Sequence, residues 1–311
     1  MLLTYSGNGA YCYANSLYMS LLGSGADAKE LPEPGFLECL TGGPFGKLYL
    51  RFEDGPLALF SSPVSDPDLG LKRALELLGW ECQEWYGDDS QEALSRLREA
   101  VQVAPALIGP IDQGYLSYYP DYRHAPGYDH FVVALAVEDE HVCLHDPGGY
   151  PCAVLPIKNF LEAWRAESIG YGRGPYTLRS HFRQVRHPGR QEIIQQALPA
   201  LRECVQVNPG GPVAYGGVEA LHLLANDLRG KVPPSISNSL VQFVLPLASR
   251  RSLDAAAFLR EAGKADAAAL MERQAVLAGQ AQSMAVQKRW SAVAAVIEQL
   301  AGTEEQLVAC F

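Results

Sequence analysis

The sequence predicts an α+β fold, with an antiparallel sheet in the first part of the chain and a C-terminal bundle of helices. Short β-type runs punctuated by Gly, Pro and Asp recur between residues 104 and 156. After about residue 190, long Ala- and Leu-rich segments with few β-branched clusters replace them. The length of 311 residues also exceeds the usual size of a single hydrophobic core. We therefore predict two domains, residues 1–188 and residues 189–311.

The first element in the chain is a helix predicted from Cys12 to Leu22. Its apolar side chains recur at helical spacing, and Gly7-Asn-Gly9 interrupts any earlier structure. Cys12 therefore lies at or near the N-terminus of a helix.

The other elements are predicted from turn signals, alternation and helix-forming composition. Glu53-Asp-Gly-Pro56 indicates a hairpin turn, and Asp89 and Glu92 have capping-box spacing at a helix start. The predicted strands are 48–52, 57–60, 104–108, 131–138, 141–145 and 152–156. The predicted helices are 66–78, 90–101, 253–278 and 281–300.

Composition and charge exclude several classes of partner. The 25 Lys and Arg against 35 Asp and Glu give a net charge of -10, which disfavours phosphate backbones and anionic lipid. The segment from Met1 to Asn8 turns polar at once, unlike a signal peptide. Prolines interrupt the uncharged stretch 232–249, unlike a membrane span. We expect a soluble cytoplasmic protein that binds neither nucleic acid nor membranes.

The seven cysteines are dispersed and lack CxxC or CxxxC spacing. This pattern predicts reduced thiols rather than a disulfide framework or a zinc knuckle. Cys143, which stands between Val142 and Leu144 in an apolar strand pattern, is interpreted as a small core residue.

Cys12 is the candidate nucleophile. A thiol at a helix N-terminus meets the positive end of the helix dipole, which lowers its pKa, and the neighbouring amides can hold an oxyanion. The alternative is a buried cysteine that only packs within an aromatic helix.

His130 and Asp146 are the candidate base and the group that orients it. If strands 131–138 and 141–145 pair as a hairpin, His130 and Asp146 meet at the same end. The alternatives are a core histidine and an ordinary Asp-Pro-Gly turn. His124, His141 and His145 compete for the role of base, but no carboxylate follows them at a comparable distance.

No metal is predicted. Neither HExxH nor HxxxH with a third ligand occurs, and only the pair His141 and His145 has suggestive spacing.

Several segments resemble the butirosin-biosynthesis protein H family, whose N-terminal domain has a papain-like cysteine-protease fold. The order Cys12, His130, Asp146 is typical of this fold. The resemblance extends to the segments Tyr11-Cys-Tyr-Ala-Asn-Ser-Leu17, Gly109-Pro-Ile-Asp-Gln-Gly-Tyr115-Leu-Ser-Tyr118 and Asp129-His-Phe-Val-Val133, and the tail from Gly216 to Phe311 is similar to the family's helical domain.

The resemblance implies an acyltransferase in natural-product biosynthesis. It would move an acyl group from a carrier-protein thioester through an acyl-cysteine to the amine of a small molecule. Cys12 would accept the acyl group, His130 would move protons and Asp146 would orient His130. An intramolecular amine would make the enzyme a cyclase. The partners implied are an acyl or peptidyl carrier protein, whose phosphopantetheine is the donor arm, and an amine acceptor, with no bound cofactor.

Asp112 and Tyr115 match a family motif and would lie near the site to bind the acceptor amine; the alternative is an aromatic turn at a strand end. Two features depart from the family pattern. In the helical domain, Ser249-Arg-Arg-Ser-Leu-Asp-Ala replaces a glycine-rich aromatic segment. Ahead of the nucleophile, no glutamine precedes Cys12, and Asn8 is the candidate donor to the oxyanion instead.

Two other functions remain open from the sequence. The same three residues suit a cysteine hydrolase, either a thioesterase or a peptidase, since water can replace the amine as acceptor. An inactive papain-like module that only binds a carrier domain is the third interpretation. A basic patch of Arg183, Arg186 and Arg190 is the hypothesis for carrier docking.

Overall fold

A computed structural model describes residues 4–7, 11–52, 55–62, 66–120, 122–210 and 213–311. The chain forms two compact units, of which the first contains Met1–Leu37 and Leu71–His187. The second contains Glu38–Gly70 and Pro188–Phe311. The chain thus passes between units next to the boundary predicted at residue 188. The segment Glu38–Gly70 differs from the prediction, because it packs with the C-terminal part of the chain.

The architecture is α+β, with antiparallel sheets and a helical C-terminal region. The strands are β1 (Leu48–Phe52), β2 (Gly55–Leu59), β3 (Trp80–Trp85), β4 (Ala106–Asp112), β5 (Asp129–Val137), β6 (His141–Asp146), β7 (Tyr150–Pro156), β8 (Leu178–Gln184) and β9 (Ala214–Gly216). The helices are α1 (Cys12–Gly23), α2 (Pro34–Thr41), α3 (Pro67–Leu78), α4 (Ser90–Val103), α5 (Ile157–Arg165), α6 (Arg190–Gln206), α7 (Gly217–Leu228), α8 (Pro234–Ser239), α9 (Leu245–Glu261), α10 (Ala265–Val286) and α11 (Trp290–Cys310).

The first unit contains a six-stranded antiparallel sheet in the order β3-β8-β4-β5-β6-β7. The strands predicted from apolar runs correspond to β4, β5, β6 and β7. The sequence analysis missed β3 and β8. In β3 (Trp80–Trp85) half of the side chains are polar and all but Trp80 are at least partly exposed, as at the edge of a sheet, so the strand lacks an apolar signature.

Helices cover both faces of this sheet. Leu97 of α4 and Trp164 of α5 share a core with Val132 of β5. The neighbouring residue on β5, Phe131, points to the opposite face because side chains alternate along a strand. There its ring makes an edge contact with Tyr13 of α1 at 5.9 Å between centroids. The helix that begins at Cys12 is therefore packed directly against β5, the strand that begins next to His130.

The second unit is mainly helical, with a three-stranded sheet in the order β2-β1-β9. The predicted hairpin is confirmed as β1 and β2, which belong to this unit. The two predicted long helices, 253–278 and 281–300, were wrong in their bounds. The helices end at Glu261 and Val286, and Gly263 (φ 74°) and Lys288 (φ 56°) adopt the left-handed conformation just beyond. The continuous Ala-rich composition conceals both breaks.

The core of the second unit encloses two ion pairs. Lys47 Nζ lies 3.1 Å from Glu304 Oε2, which also accepts a 2.9 Å hydrogen bond from Gln274. Arg251 donates to Glu38 Oε1 at 2.6 and 2.8 Å and to the carbonyl oxygen of Phe60 at 2.8 Å. A buried charge is tolerated only when paired in this way.

Within the described ranges, the helices are too short or too polar for any of them to cross a lipid bilayer.

Candidate active site

Cys12 is the first residue of α1, as the sequence analysis predicted. The preceding residue, Tyr11, adopts a left-handed conformation (φ 58°, ψ 49°) and forms the N-cap without a side-chain cap bond. Asn15 stabilises this conformation, because both its backbone N–H (2.8 Å) and its side-chain Nδ2 (3.1 Å) donate to the Tyr11 carbonyl. Ser6 Oγ in turn donates to Asn15 Oδ1 at 2.7 Å. The sharp entry into α1 therefore holds Cys12 at the positive end of the helix dipole.

His130 and Asp146 lie at the same end of the β5–β6 hairpin, as predicted. His130 Nε2 and Asp146 Oδ1 are 2.7 Å apart. A bulge between Ala134 and Ala136 shifts the register of the two strands. His130 is 8% exposed and Asp146 is fully buried, whereas Cys12 is partly exposed. Cys12 is thus the most accessible of the three residues, and the other two are shielded from water.

The ionisation of His130 couples all three residues. Burial lowers the pKa of His130, but the charge and hydrogen bond of Asp146 and a hydrogen bond with the Cys12 thiol raise it, so the pKa lies well above its ordinary value. Because Nε2 is bonded to Asp146, the other ring nitrogen, Nδ1, is left for the thiol. Burial raises the pKa of Asp146, but His130 and the hydrogen bonds to its carboxylate lower it more strongly, so the net shift is downward. The site favours an imidazolium paired with an aspartate.

Two tyrosines complete the environment of Asp146. Tyr118 donates to Oδ2 at 2.7 Å and Tyr119 donates to Oδ1 at 3.0 Å. Burial and the charge of Asp146 raise the pKa of both hydroxyls, so both remain protonated donors. Tyr119 also lies 3.4 Å from His130 Nε2. Neither tyrosine is predicted as a site residue from the sequence, where Tyr118 is only the last residue of the family motif that begins at Gly109. The sequence signal for both is the pair of adjacent tyrosines that follows Asp112.

The turn after Asp146 is shaped around its carboxylate. The backbone N–H of Gly148 donates to Asp146 Oδ1 at 2.6 Å. A Cβ atom on Gly148 would lie 1.7 Å from the Tyr119 hydroxyl and 2.9 Å from Asp146 Oδ1. Glycine is therefore required here by the close approach of Tyr119. Tyr5 holds the same turn, donating to the Asp146 carbonyl at 2.8 Å and accepting from Gly149 N–H at 3.1 Å.

Comparison with known proteins identifies similarity across both units. Residues 211–311 match the family model of the YobF C-terminal domain. The matched region covers α7 to α11. The chain is also 29% identical, over 306 residues, to a Bacillus subtilis (strain 168) protein described as uncharacterized protein YobF, covering 98% of this chain and 96% of that protein. Neither description names an activity. The function is therefore inferred from the contacts of Cys12, His130 and Asp146.

Asp112 lies beside the triad on the neighbouring strand. The β4–β5 register places it opposite Asp129, next to His130. Its carboxylate accepts hydrogen bonds from the backbone N–H groups of Gly114 (2.8 Å) and Gly127 (3.0 and 3.1 Å) and from Ser168 Oγ (2.6 Å). These contacts tie the two ends of the β4–β5 connection to the loop that follows α5. A role in binding an amine stays a prediction, and an amine would have to share an oxygen that is already bonded.

Tyr115 and Asn8, the other two predicted binding residues, are less well defined. Tyr115 ends a short 3-10 turn with its side chain 42% exposed, and its carbonyl lies 3.5 Å from Asn159 Nδ2. Asn8 lies outside the described residues, so its proposed contact with an oxyanion stays a prediction.

The rival histidines have other surroundings. His145 is buried, its pKa is lowered by that burial, and its Nδ1 accepts a hydrogen bond from Cys152 N–H at 3.0 Å. His141 Nε2 lies 2.9 Å from Glu138 at the opposite end of the hairpin. The side chain of His124 lies outside the described residues. The imidazoles of His141 and His145, whose spacing had suggested a metal, have different partners and do not face a common ligand position.

The interpretation of Cys143 as a core residue was wrong. Its neighbours Val142 and Leu144 are buried, but the alternation of the strand places Cys143 on the other, partly exposed face. Its sulfur lies 3.9 Å from Glu138 Oε1.

The three arginines suggested as a docking patch are each engaged. Arg183 pairs with Glu81 at 3.3 Å, and Arg186 donates to the carbonyl of Glu76 at 2.6 Å. Arg190 makes a two-pronged contact with Glu261 at 2.6 and 2.9 Å. The two carboxylate partners, Glu81 and Glu261, reduce the positive potential that the docking hypothesis requires.

Proposed function

We propose that the chain is a cysteine-dependent acyltransferase in which Cys12 carries the acyl group. The observation that supports this most strongly is the order of contacts at the site. Cys12 at a helix start is partly exposed, its thiol is hydrogen-bonded to His130, and His130 Nε2 is 2.7 Å from a buried carboxylate oxygen of Asp146. This is the arrangement of nucleophile, base and orienting group that acyl transfer requires.

In the first half-reaction the Cys12 thiolate attacks the carbonyl carbon of a thioester. The tetrahedral oxyanion lies at the N-terminus of α1, where the helix dipole favours negative charge. When the intermediate collapses, the bond to the donor sulfur breaks. His130, protonated in the resting site, gives its proton to the departing thiolate, and Cys12 is left as a thioester.

In the second half-reaction an amine attacks the acyl-Cys12 carbonyl and loses a proton to His130. The carbon–sulfur bond breaks, an amide is released, and the pair of thiolate and imidazolium is restored. Thiol exchange in the first step is close to isoenergetic and amide formation is downhill, so a cysteine suits a thioester donor. General acid–base help from His130 is worth about 10²–10⁴ in rate.

The positions of Cys12, His130 and Asp146 also support a papain-like fold for the first unit. A helix that bears the nucleophile and packs on a sheet that carries His130 and Asp146 is the arrangement of papain-like cysteine enzymes. The resemblance of the segments around Cys12, Asp112 and His130 to the butirosin-biosynthesis protein H family supports the transferase over other papain-like activities. The donor would be the phosphopantetheine thioester of an acyl or peptidyl carrier protein, and the acceptor the amine of a small molecule.

The test is intact-mass spectrometry after incubation with an acyl-pantetheine thioester, which represents the end of a carrier arm. Wild-type protein is expected to gain one acyl mass that Cys12→Ala does not gain. Cys82→Ala is the matched control, because burial raises the pKa of that thiol to about 11 and keeps it protonated. Addition of amines should discharge the adduct as an amide.

Each other outcome contradicts the proposal in a defined way. Discharge by water at the same rate with and without amines would identify a thioesterase or peptidase. An adduct that survives in Cys12→Ala would place the nucleophile elsewhere. If Cys12 accepts no acyl group and reacts with a thiol-alkylating probe no faster than Cys82, the chain is not a transferase. The interpretation as a papain-like binding module is then favoured.

A further inference from the structure

Three potential metal ligands converge at the turn of the β5–β6 hairpin, at the end opposite to His130 and Asp146. Glu138 N–H donates to the His141 carbonyl at 2.9 Å, which closes a two-residue turn and places the two residues opposite each other. Cys143 follows His141 by two positions on the same strand. Opposed residues share a face of the sheet, as do residues two apart, so all three side chains project to one side.

The distances between the ligand atoms fit one small cation. Glu138 Oε2 is 2.9 Å from His141 Nε2, and Glu138 Oε1 is 3.9 Å from Cys143 Sγ. One ligand atom from each residue can be chosen so that all lie within 4.8 Å of one another. A tetrahedral zinc ion with bonds of about 2.0–2.3 Å separates its ligand atoms by about 3.3–3.5 Å. The two short distances, which involve different oxygens of Glu138, differ from these separations by roughly half an ångström. The 4.8 Å limit for one ligand atom from each residue is larger, so rotation of the partly exposed side chains would have to bring the three atoms together.

The neighbouring side chains leave room for such an ion, and the carboxylates among them attract positive charge. Cys143 is paired across the hairpin with Ala136, whose side chain is small. Glu138, Asp139 and Glu140 place carboxylates at the three positions directly before His141.

We propose that Glu138, His141 and Cys143 form a site for one Zn²⁺ ion, with water in the fourth position. A thiolate, an imidazole and a carboxylate together match zinc, whereas Mg²⁺ and Ca²⁺ prefer oxygen ligands alone. The ion would cross-link the turn of the hairpin whose other end carries His130 and Asp146. The site is separate from the proposed triad and does not depend on the acyltransferase assignment.

The test uses the full-length chain with Cys12→Ala, which removes the second cysteine–histidine pair that could bind metal. Zn²⁺ alone is titrated in competition with a chromophoric chelator, and Co²⁺ is used as a spectroscopic probe. One equivalent is expected to bind, with the sulfur-to-cobalt charge-transfer band of a thiolate ligand. Replacing an outer-shell partner of a zinc ligand costs about 10- to 100-fold in affinity, so Cys143→Ser and His141→Gln should each weaken binding at least about tenfold.

Matched controls separate the site from general acidity and from other thiols. Glu140→Gln removes a carboxylate of the same turn, and Cys82→Ser removes a thiol elsewhere in the unit; both should bind as the parent does. Absence of the charge-transfer band in the parent, or equal affinity in Cys143→Ser and Cys82→Ser, overturns the proposal. The cobalt spectrum of the parent requires no substitution in the site, so it remains decisive if a ligand variant folds poorly.

Discussion

Replacing Tyr118 by phenylalanine removes a single hydroxyl and tests the environment of Asp146 directly. That hydroxyl donates at 2.7 Å to Asp146 Oδ2, the oxygen that His130 does not contact. A hydrogen bond to a charged group contributes about 1.5–3 kcal/mol, and the fully buried carboxylate cannot recruit water in its place. At about 2–4 °C per kcal/mol, the melting temperature should fall by roughly 3–12 °C.

The pH dependence of this loss has a defined sign. The pKa of Asp146 is lowered in the folded state, so contacts with its ionised form stabilise the protein above the ordinary aspartate pKa. That stability is lost as the pH falls through the lowered value. The difference in unfolding free energy between wild type and Tyr118→Phe should therefore be constant near neutral pH and shrink only at the acidic end.

Urea unfolding from pH 7 to the lowest pH at which the protein stays folded measures this difference. Tyr150→Phe is the matched control, because the Tyr150 ring belongs to the same cluster, 4.4 Å from Tyr119, but its hydroxyl is not among the donors to Asp146 described above. Equal destabilisation by the two substitutions, or a difference independent of pH, would refute the role assigned to Tyr118.

Three further substitutions have outcomes that follow from the contacts. Asp146→Asn should lower the pKa of His130, measured by NMR, and slow acylation of Cys12 by about 10²-fold or more, because the base loses its orienting charge. Gly148→Ala should destabilise the fold by about 1–3 kcal/mol in thermal unfolding, since its Cβ meets the Tyr119 hydroxyl. Arg251→Met should cost about 3–5 kcal/mol in urea unfolding, because it removes the guanidinium that balances the buried charge of Glu38.

Each substitution has a control of the same chemical kind. Asp129→Asn removes an exposed carboxylate next to His130 and should leave its titration unchanged. Gly302→Ala adds a Cβ with no atom within 4 Å on helix α11, so it should be neutral or stabilising. Arg190→Met breaks an ion pair whose side chains are 40% and 37% exposed, which is worth about 0–1 kcal/mol. If a control substitution has as large an effect as the substitution it is paired with, the contact assigned to that residue is refuted.

The local pattern of the sequence determined the start of α1 at Cys12, the hairpin that joins His130 to Asp146, and the helical character of the C-terminal part. These features depend on interactions between residues close in the chain, which periodicity and turn chemistry report. The same argument could have found the Glu138, His141 and Cys143 cluster, because all three residues belong to one hairpin. These residues lack CxxC and HExxH spacing, so the usual metal-binding motifs do not indicate them.

Only the tertiary structure decided which distant residues serve the site. Tyr118 and Tyr119 reach Asp146 across 28 and 27 positions of the chain, and no spacing rule connects them. The membership of Glu38–Gly70 in the second unit, through the Glu38 contact with Arg251, is likewise a matter of packing. Long-range contacts of this kind arise from the shape of the whole core and the need to pair buried charges, which no local window of sequence contains.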